Sequence, residues 1–148
     1  MTGVQTCALP ISESNNWTFT GAGKRATSPA TCKRTGSAYG SLSSATTSVQ
    51  KASQSINVPS QGTTLLKYWV RIQSSETAGT AFDNLVVKAD AAVISTLTTA
   101  NEQEKYTEYT YDLTSLKGTS VNITFQGTFD NVVSTNFCID DVSAINSK

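Results

Sequence analysis

The chain has 148 residues, 38% of them apolar and only 15% charged, with zero net charge and no histidine. One substantial core fits that length, and little charge with abundant Ser and Thr suits an extracellular β-rich module. Neutrality gives no pull towards nucleic acid, the missing histidine removes Ser-His-Asp and Cys-His catalysis, and no run reaches the ~18 apolar residues of a membrane helix.

The charges are uneven along the chain. Up to Ser75 seven bases stand against Glu13 alone, and from Glu76 onward ten acids stand against four bases. Distant strands interleave in a sheet protein, so this asymmetry need not make a two-faced molecule.

Met1 to Ile11 (MTGVQTCALPI) resembles a translated sequencing-library adapter, and such scars are set aside in fold reasoning. On that reading residues 12–148 form a single domain that lacks its first strand, and Cys7 leaves the cysteine count. From there the pattern is short strands with polar punctuation. Trp17 to Thr20 reads as a short strand and Gly21 to Pro29 as a loop. Ala38 to Leu42 and Ser48 to Val58 follow as strands, the second stopped by Pro59 and a Ser60-Gln61-Gly62 turn. Thr64 to Gln73 has the cleanest alternation. Leu66, Tyr68, Val70 and Ile72 make one face, and Lys67, Trp69, Arg71 and Gln73 the other. Phe82 to Lys88 and Ala92 to Leu97 come next, then a charged turn over Asn101 to Lys105. Tyr106 to Leu113 places Tyr109, Tyr111 and Leu113 on one face, and Val121, Ile123 and Phe125 alternate inward.

The last strand, Phe137 to Ile145, carries Asp140 and Asp141 side by side, where strand propensity disfavours them. Acids in such a place serve a cation, a buried hydrogen bond or a bulge. About eight or nine short strands at roughly ten-residue spacing, with no amphipathic helix, predict an all-β, antiparallel two-sheet sandwich or barrel.

Four blocks, in order, resemble the jelly-roll modules appended to secreted bacterial peptidases and other exported proteins, which are MAM-like or similar to carbohydrate-binding modules. They are Gly36-Ser37-Ala38-Tyr39-Gly40; Ser55 to Pro59 leading into Leu65 to Ile72; Phe82-Asp83-Asn84-Leu85-Val86-Val87; and Tyr111-Asp112-Leu113 with Lys117-Gly118 and the closing Phe137 to Val142. The resemblance spans Trp17 to Ile145 and implies a jelly-roll β-sandwich, the non-catalytic accessory module of a larger secreted or surface protein. It implies glycan or another surface polymer as partner, beside the parent polypeptide's own domains, and a monomer with no membrane insertion. The alternative is a structural spacer or adhesin-like domain without a soluble ligand. The family's opening strand is not visible.

Asp83, Asp130, Asp140 and Asp141, with Glu76, are candidate oxygen ligands for a structural calcium ion. Resemblance to calcium-stabilised jelly rolls favours Asp140 or Asp141 among them. Both can reach one ion only across a bulge, because successive strand residues face opposite ways. The other reading has one acid bonding backbone amides in a turn while its neighbour is solvated. Cys32 and Cys138 form an even pair, which in an exported domain reads as a disulfide; the alternative is two buried thiols that never meet. Lys67, Trp69, Arg71 and Gln73, with Tyr106 and Trp17, are candidates to stack and hydrogen-bond a sugar. Against this stands a Trp69 packed beneath a covering loop, with Lys67 and Arg71 reaching past it. Adjacent carboxylates on one strand do not make a glycosidase pair, which needs two acids across a cleft.

Overall fold

Period-two alternation decides the sheets. In the computed structural model, which describes residues 4–6, 17–28, 32–75, 82–101 and 103–147, β6 (Thr63–Ser74) buries Leu66, Tyr68, Val70 and Ile72 and leaves Lys67, Trp69, Arg71 and Gln73 half-exposed. The other strands are β1 (Val4–Thr6), β2 (Thr18–Thr20), β3 (Lys24–Ala26), β4 (Tyr39–Ser44), β5 (Ser48–Asn57), β7 (Asn84–Ala89), β8 (Ala92–Thr98), β9 (Gln103–Asp112), β10 (Ser120–Phe129) and β11 (Thr135–Ser147). One sheet has the order β3-β4-β11-β6-β9, with β1 on the far end of β11; the other runs β2-β5-β10-β7-β8.

From β4 onward the first strand pairs with the last and the second with the last but one. Thus β4 lies on β11, β5 on β10, β6 on β9 and β7 on β8, all antiparallel. A long hairpin folded over on itself produces that order, and its two halves close as facing sheets. The fold is an all-β jelly-roll sandwich.

Apolar side chains from both inner faces fill the space between the sheets. Tyr68 meets Phe125 edge-on at 5.3 Å between ring centroids, and Trp17 packs on the same Phe125 at 5.8 Å. Trp17 is therefore a core residue, which corrects its place among the candidates to bind a sugar. Two further corrections concern edges. The expected loop over Gly21 to Pro29 contains β3, whose Lys24 and Arg25 are exposed. Charged side chains on a short edge strand discourage pairing with other chains, and they also hide the strand from hydrophobic patterning. The expected charged turn over Asn101 to Lys105 is shorter, since β9 already begins at Gln103. Val4–Thr6, in the segment set aside, pairs through its backbone with Ile145–Ser147.

The turn before β6 depends on Gly62. Its φ is +83°, and an added Cβ would lie 2.5 Å from the Ser147 carbonyl oxygen. Gly62→Ala should therefore cost about 2–3 kcal/mol, combining left-handed strain with a backbone clash. Urea unfolding checks this, and a cost below about 0.5 kcal/mol would contradict it.

The 13-residue β11 lies between β4 and β6 and carries the irregularity that matters most. Strict alternation after Phe137 and Ile139 would drive Asp141 into the core. Instead the register with β6 shifts between Asp140 and Ser143, and Asp141 adopts φ +47°. This bulge holds Asp140 and Asp141 off the inner face and returns Val142 and Ala144 to it, where both are fully buried. An Asp tolerates the left-handed region better than most residues. The alternative to that strain was a carboxylate among Phe and Ile side chains, which costs far more.

Candidate functional site

The outer face of the β11 sheet is not bare. The segment from Cys32 to Ala38 crosses it, and each of its fixings is a specific contact. A disulfide joins Cys32 to Cys138 on β11, with Cα atoms 5.9 Å apart. Asp140 Oδ2 accepts the backbone N–H groups of Arg34 at 2.8 Å and Thr35 at 3.2 Å, while Oδ1 accepts that of Asp141 at 2.8 Å. Asp141 forms an ion pair with Arg34 Nη1 and accepts the Thr35 hydroxyl. The Tyr106 hydroxyl, from β9, donates to the Cys32 carbonyl. Tyr39 donates to the Ser28 carbonyl at 2.8 Å. Beneath the loop Ala26, Cys32, Tyr39 and Cys138 form a small second core, with Tyr106 packed against it.

Electrostatics follow from this packing. Burial pushes the Asp140 carboxyl above the usual carboxylate range, and the N–H groups of Arg34, Asp141 and Thr35 pull it back. Burial likewise pushes the Tyr106 phenol far above its ordinary value, with Asp140 adding to the shift. Tyr106 therefore remains an O–H donor to the loop at any physiological pH. The partly exposed Arg34–Asp141 pair contributes at most about 1 kcal/mol; its role is to orient the guanidinium.

That guanidinium lies over Trp69, its central carbon 3.6 Å from the ring centroid. Trp69 is half-buried, in register with Asp140 on one side and Glu108 on the other. The candidates on β6 are thus divided by the loop. Gln73 Oε1 lies 3.1 Å from Cys32 Sγ, and Arg71 is in register with Cys138, so both belong to the covered end with Tyr106. Lys67 lies beyond the loop, in register with Ser143 and Thr110. Between them Trp69 sits at the loop's rim.

The four acids do not form one ligand set. Asp140 and Asp141 are brought together by the bulge, but their oxygens are already taken by backbone N–H groups, Arg34 and Thr35. That does not fit a calcium shell. Asp83 and Asp130 meet elsewhere, at the end of the other sheet, where Asp83 Oδ1 accepts the Asp130 N–H at 2.8 Å. Asp83 is buried, and its Oδ2 has no hydrogen-bond partner among the described residues. Among the described residues no three His, Cys, Asp or Glu side chains converge on a metal-sized site. Glu76 lies outside the described residues.

Arg34 and Thr35 were missed by sequence reading. Lys33-Arg34-Thr35-Gly36 carries no motif, and its place above Trp69 is a product of tertiary structure. One signal pointed there. A bridge from Cys32 to Cys138 must bring the residues after Cys32 close to the acids after Cys138.

No protein-family model matches the chain, and neither does any curated protein. Among solved structures it is similar to TmCBM61, solved in complex with β-1,4-galactotriose, with a TM-score of 0.68, 13% identity and 90% of each chain covered. It is similar to the K2 cleaved adhesin domain of Lys-gingipain, with a TM-score of 0.59, 15% identity, and 95% of this chain and 97% of that one covered. A third is the CBM22-1 xylan-binding domain of Xyn10C from Paenibacillus barcinonensis, with a TM-score of 0.55, 14% identity, and 94% and 92% covered. At 13–15% identity these likenesses are of fold, and they agree with the jelly-roll sandwich.

Proposed function

We propose that this chain is a non-catalytic glycan-binding module of an exported protein, and that Trp69 is its stacking platform. The observation that carries the reading is the half-buried indole on β6, an interior strand of its sheet, at the rim of a pinned loop and beside Lys67, with Arg34 over one face of the ring. A pyranose ring presents an apolar face to an aromatic side chain and hydroxyls to its neighbours. The likeness to carbohydrate-binding modules supports this role, and the disulfide fits an oxidising, extracellular setting. Gln73 and Tyr106 act in this reading by contacting Cys32 of the loop rather than by touching sugar, and Arg71 lies at the same covered end.

Titration calorimetry against neutral and acidic plant and bacterial glycans tests it. Trp69→Ala is expected to weaken binding at least tenfold while moving the melting temperature by no more than about 4 °C. A second reading, a spacer or adhesin-like domain, draws support from the Arg34 cover on Trp69 and from the adhesin-domain likeness. It predicts no glycan binding by the parent chain. Calcium enters the proposal only at Asp83, a buried carboxylate whose Oδ2 has no hydrogen-bond partner among the described residues. A site filled at about 100 times its Kd adds roughly 2.7 kcal/mol. A melt in calcium and then chelator should show that shift, and Asp83→Asn should abolish it; no shift in the parent chain removes calcium from the proposal.

A further inference from the structure

Building on the glycan-binding reading, we infer that the ligand of the Trp69 face is an anionic glycan, bearing carboxylate or sulfate groups, and that Arg34 reads its charge. Three observations converge on that side chain.

The first is its orientation. The guanidinium is stacked on Trp69 at 3.6 Å and paired through Nη1 with Asp141. Asp141 takes one N–H position of a group that has five donors. The rest of the guanidinium meets no protein acceptor among the described residues, and the side chain is 32% exposed. The second is its rigidity. Asp140 holds the backbone of Arg34 and Thr35, and the disulfide holds Cys32 two residues earlier. A surface arginine ordinarily loses side-chain entropy on binding, whereas this one is already placed.

The third is what surrounds it. Lys67 precedes Trp69 on the same strand face, two residues and so roughly 7 Å away, which gives the indole a cation above it and another beside it. The nearby acids are accounted for. Asp140 is closed by three backbone N–H groups and Asp141 is engaged by Arg34 and Thr35. Glu108 is exposed and in register with Trp69 on β9, so an anion would approach from the loop side, away from it. A neutral sugar leaves a guanidinium fork with only hydroxyls to meet, while a carboxylate or sulfate matches its geometry and charge.

Calorimetry on the full chain with β-1,4-galactotriose, α-1,4-trigalacturonate and a sulfated galactan oligosaccharide tests the inference. The expected result is at least tenfold tighter binding of one anionic ligand over the neutral one in 50 mM salt. That advantage should shrink as salt is raised. The two anionic arms separate carboxylate from sulfate. Arg34→Ala should erase the advantage of the anionic ligand over the neutral trimer. Should Arg34→Ala fold poorly, Arg34→Lys carries the test. It keeps the charge without the fork, and parental affinity for the preferred anion would overturn the role given to the guanidinium. Equal binding of neutral and anionic ligands, indifferent to Arg34, overturns the charge inference and leaves the glycan reading intact. No binding of any of the three by the parent chain removes both.

Discussion

Asp140→Ala should lower the melting temperature by roughly 6–12 °C and release the Cys32–Ala38 segment from the sheet. The substitution leaves the N–H groups of Arg34, Thr35 and Asp141 without their acceptor. Each buried orphan donor costs about 1–3 kcal/mol. Arg34 and Thr35 are exposed residues, so their amides regain water once the loop lifts, and the total settles near ~3 kcal/mol. At about 2–4 °C per kcal/mol for a domain this size, the shift in melting temperature follows. Asp140→Asn should fall between the parent and Asp140→Ala. Its single carbonyl oxygen can still serve Arg34 and Thr35, while its amide hydrogens face the Asp141 N–H. Trp69 fluorescence supplies a second signal, because the Arg34 guanidinium leaves the indole with the loop. A variant that melts within about 2 °C of the parent would show that Asp140 does not anchor this segment.

Removing the disulfide should have an effect of similar size by a different route. Cys32 and Cys138 are 106 residues apart in sequence, so the bridge closes most of the chain into a loop and restricts the unfolded state. Typical native bridges of this kind contribute about 2–4 kcal/mol. The Cys32→Ser, Cys138→Ser double variant should therefore melt roughly 5–15 °C lower. The two effects should also be less than additive. Both groups hold the same segment, and once one is gone the other anchors a loop that is already partly free. A double-mutant cycle between Asp140→Ala and the paired serine substitutions should show coupling of about 1 kcal/mol or more. Strict additivity would mean that the disulfide and the carboxylate act on separate parts of the structure.

The likeness to TmCBM61 and to the K2 cleaved adhesin domain is one of fold, at 13% and 15% identity. In this chain a pinned segment crosses the outer face of the β11 sheet. It turns an open row of polar and aromatic side chains into a rim with Trp69 at its edge.

The sequence by itself determined the class of fold and the faces of the strands. In β6 the alternation of Leu66, Tyr68, Val70 and Ile72 with Lys67, Trp69, Arg71 and Gln73 sorts core from surface, since a strand has no other way to bury every second residue. The two acids of β11 were also legible as an anomaly, because two adjacent carboxylates cannot both sit comfortably in a regular, half-buried strand. Tertiary structure alone decided how that anomaly was resolved. A bulge with Asp141 at φ +47° holds the acids off the core, and a loop from more than one hundred residues earlier supplies their partners. It also decided that Trp17 belongs to the core, that β3 exists as a charged edge, and that Arg34 lies on Trp69. Those outcomes depend on contacts between distant segments. Local periodicity reports which way a side chain points from its own strand, not which part of the chain will cross above it.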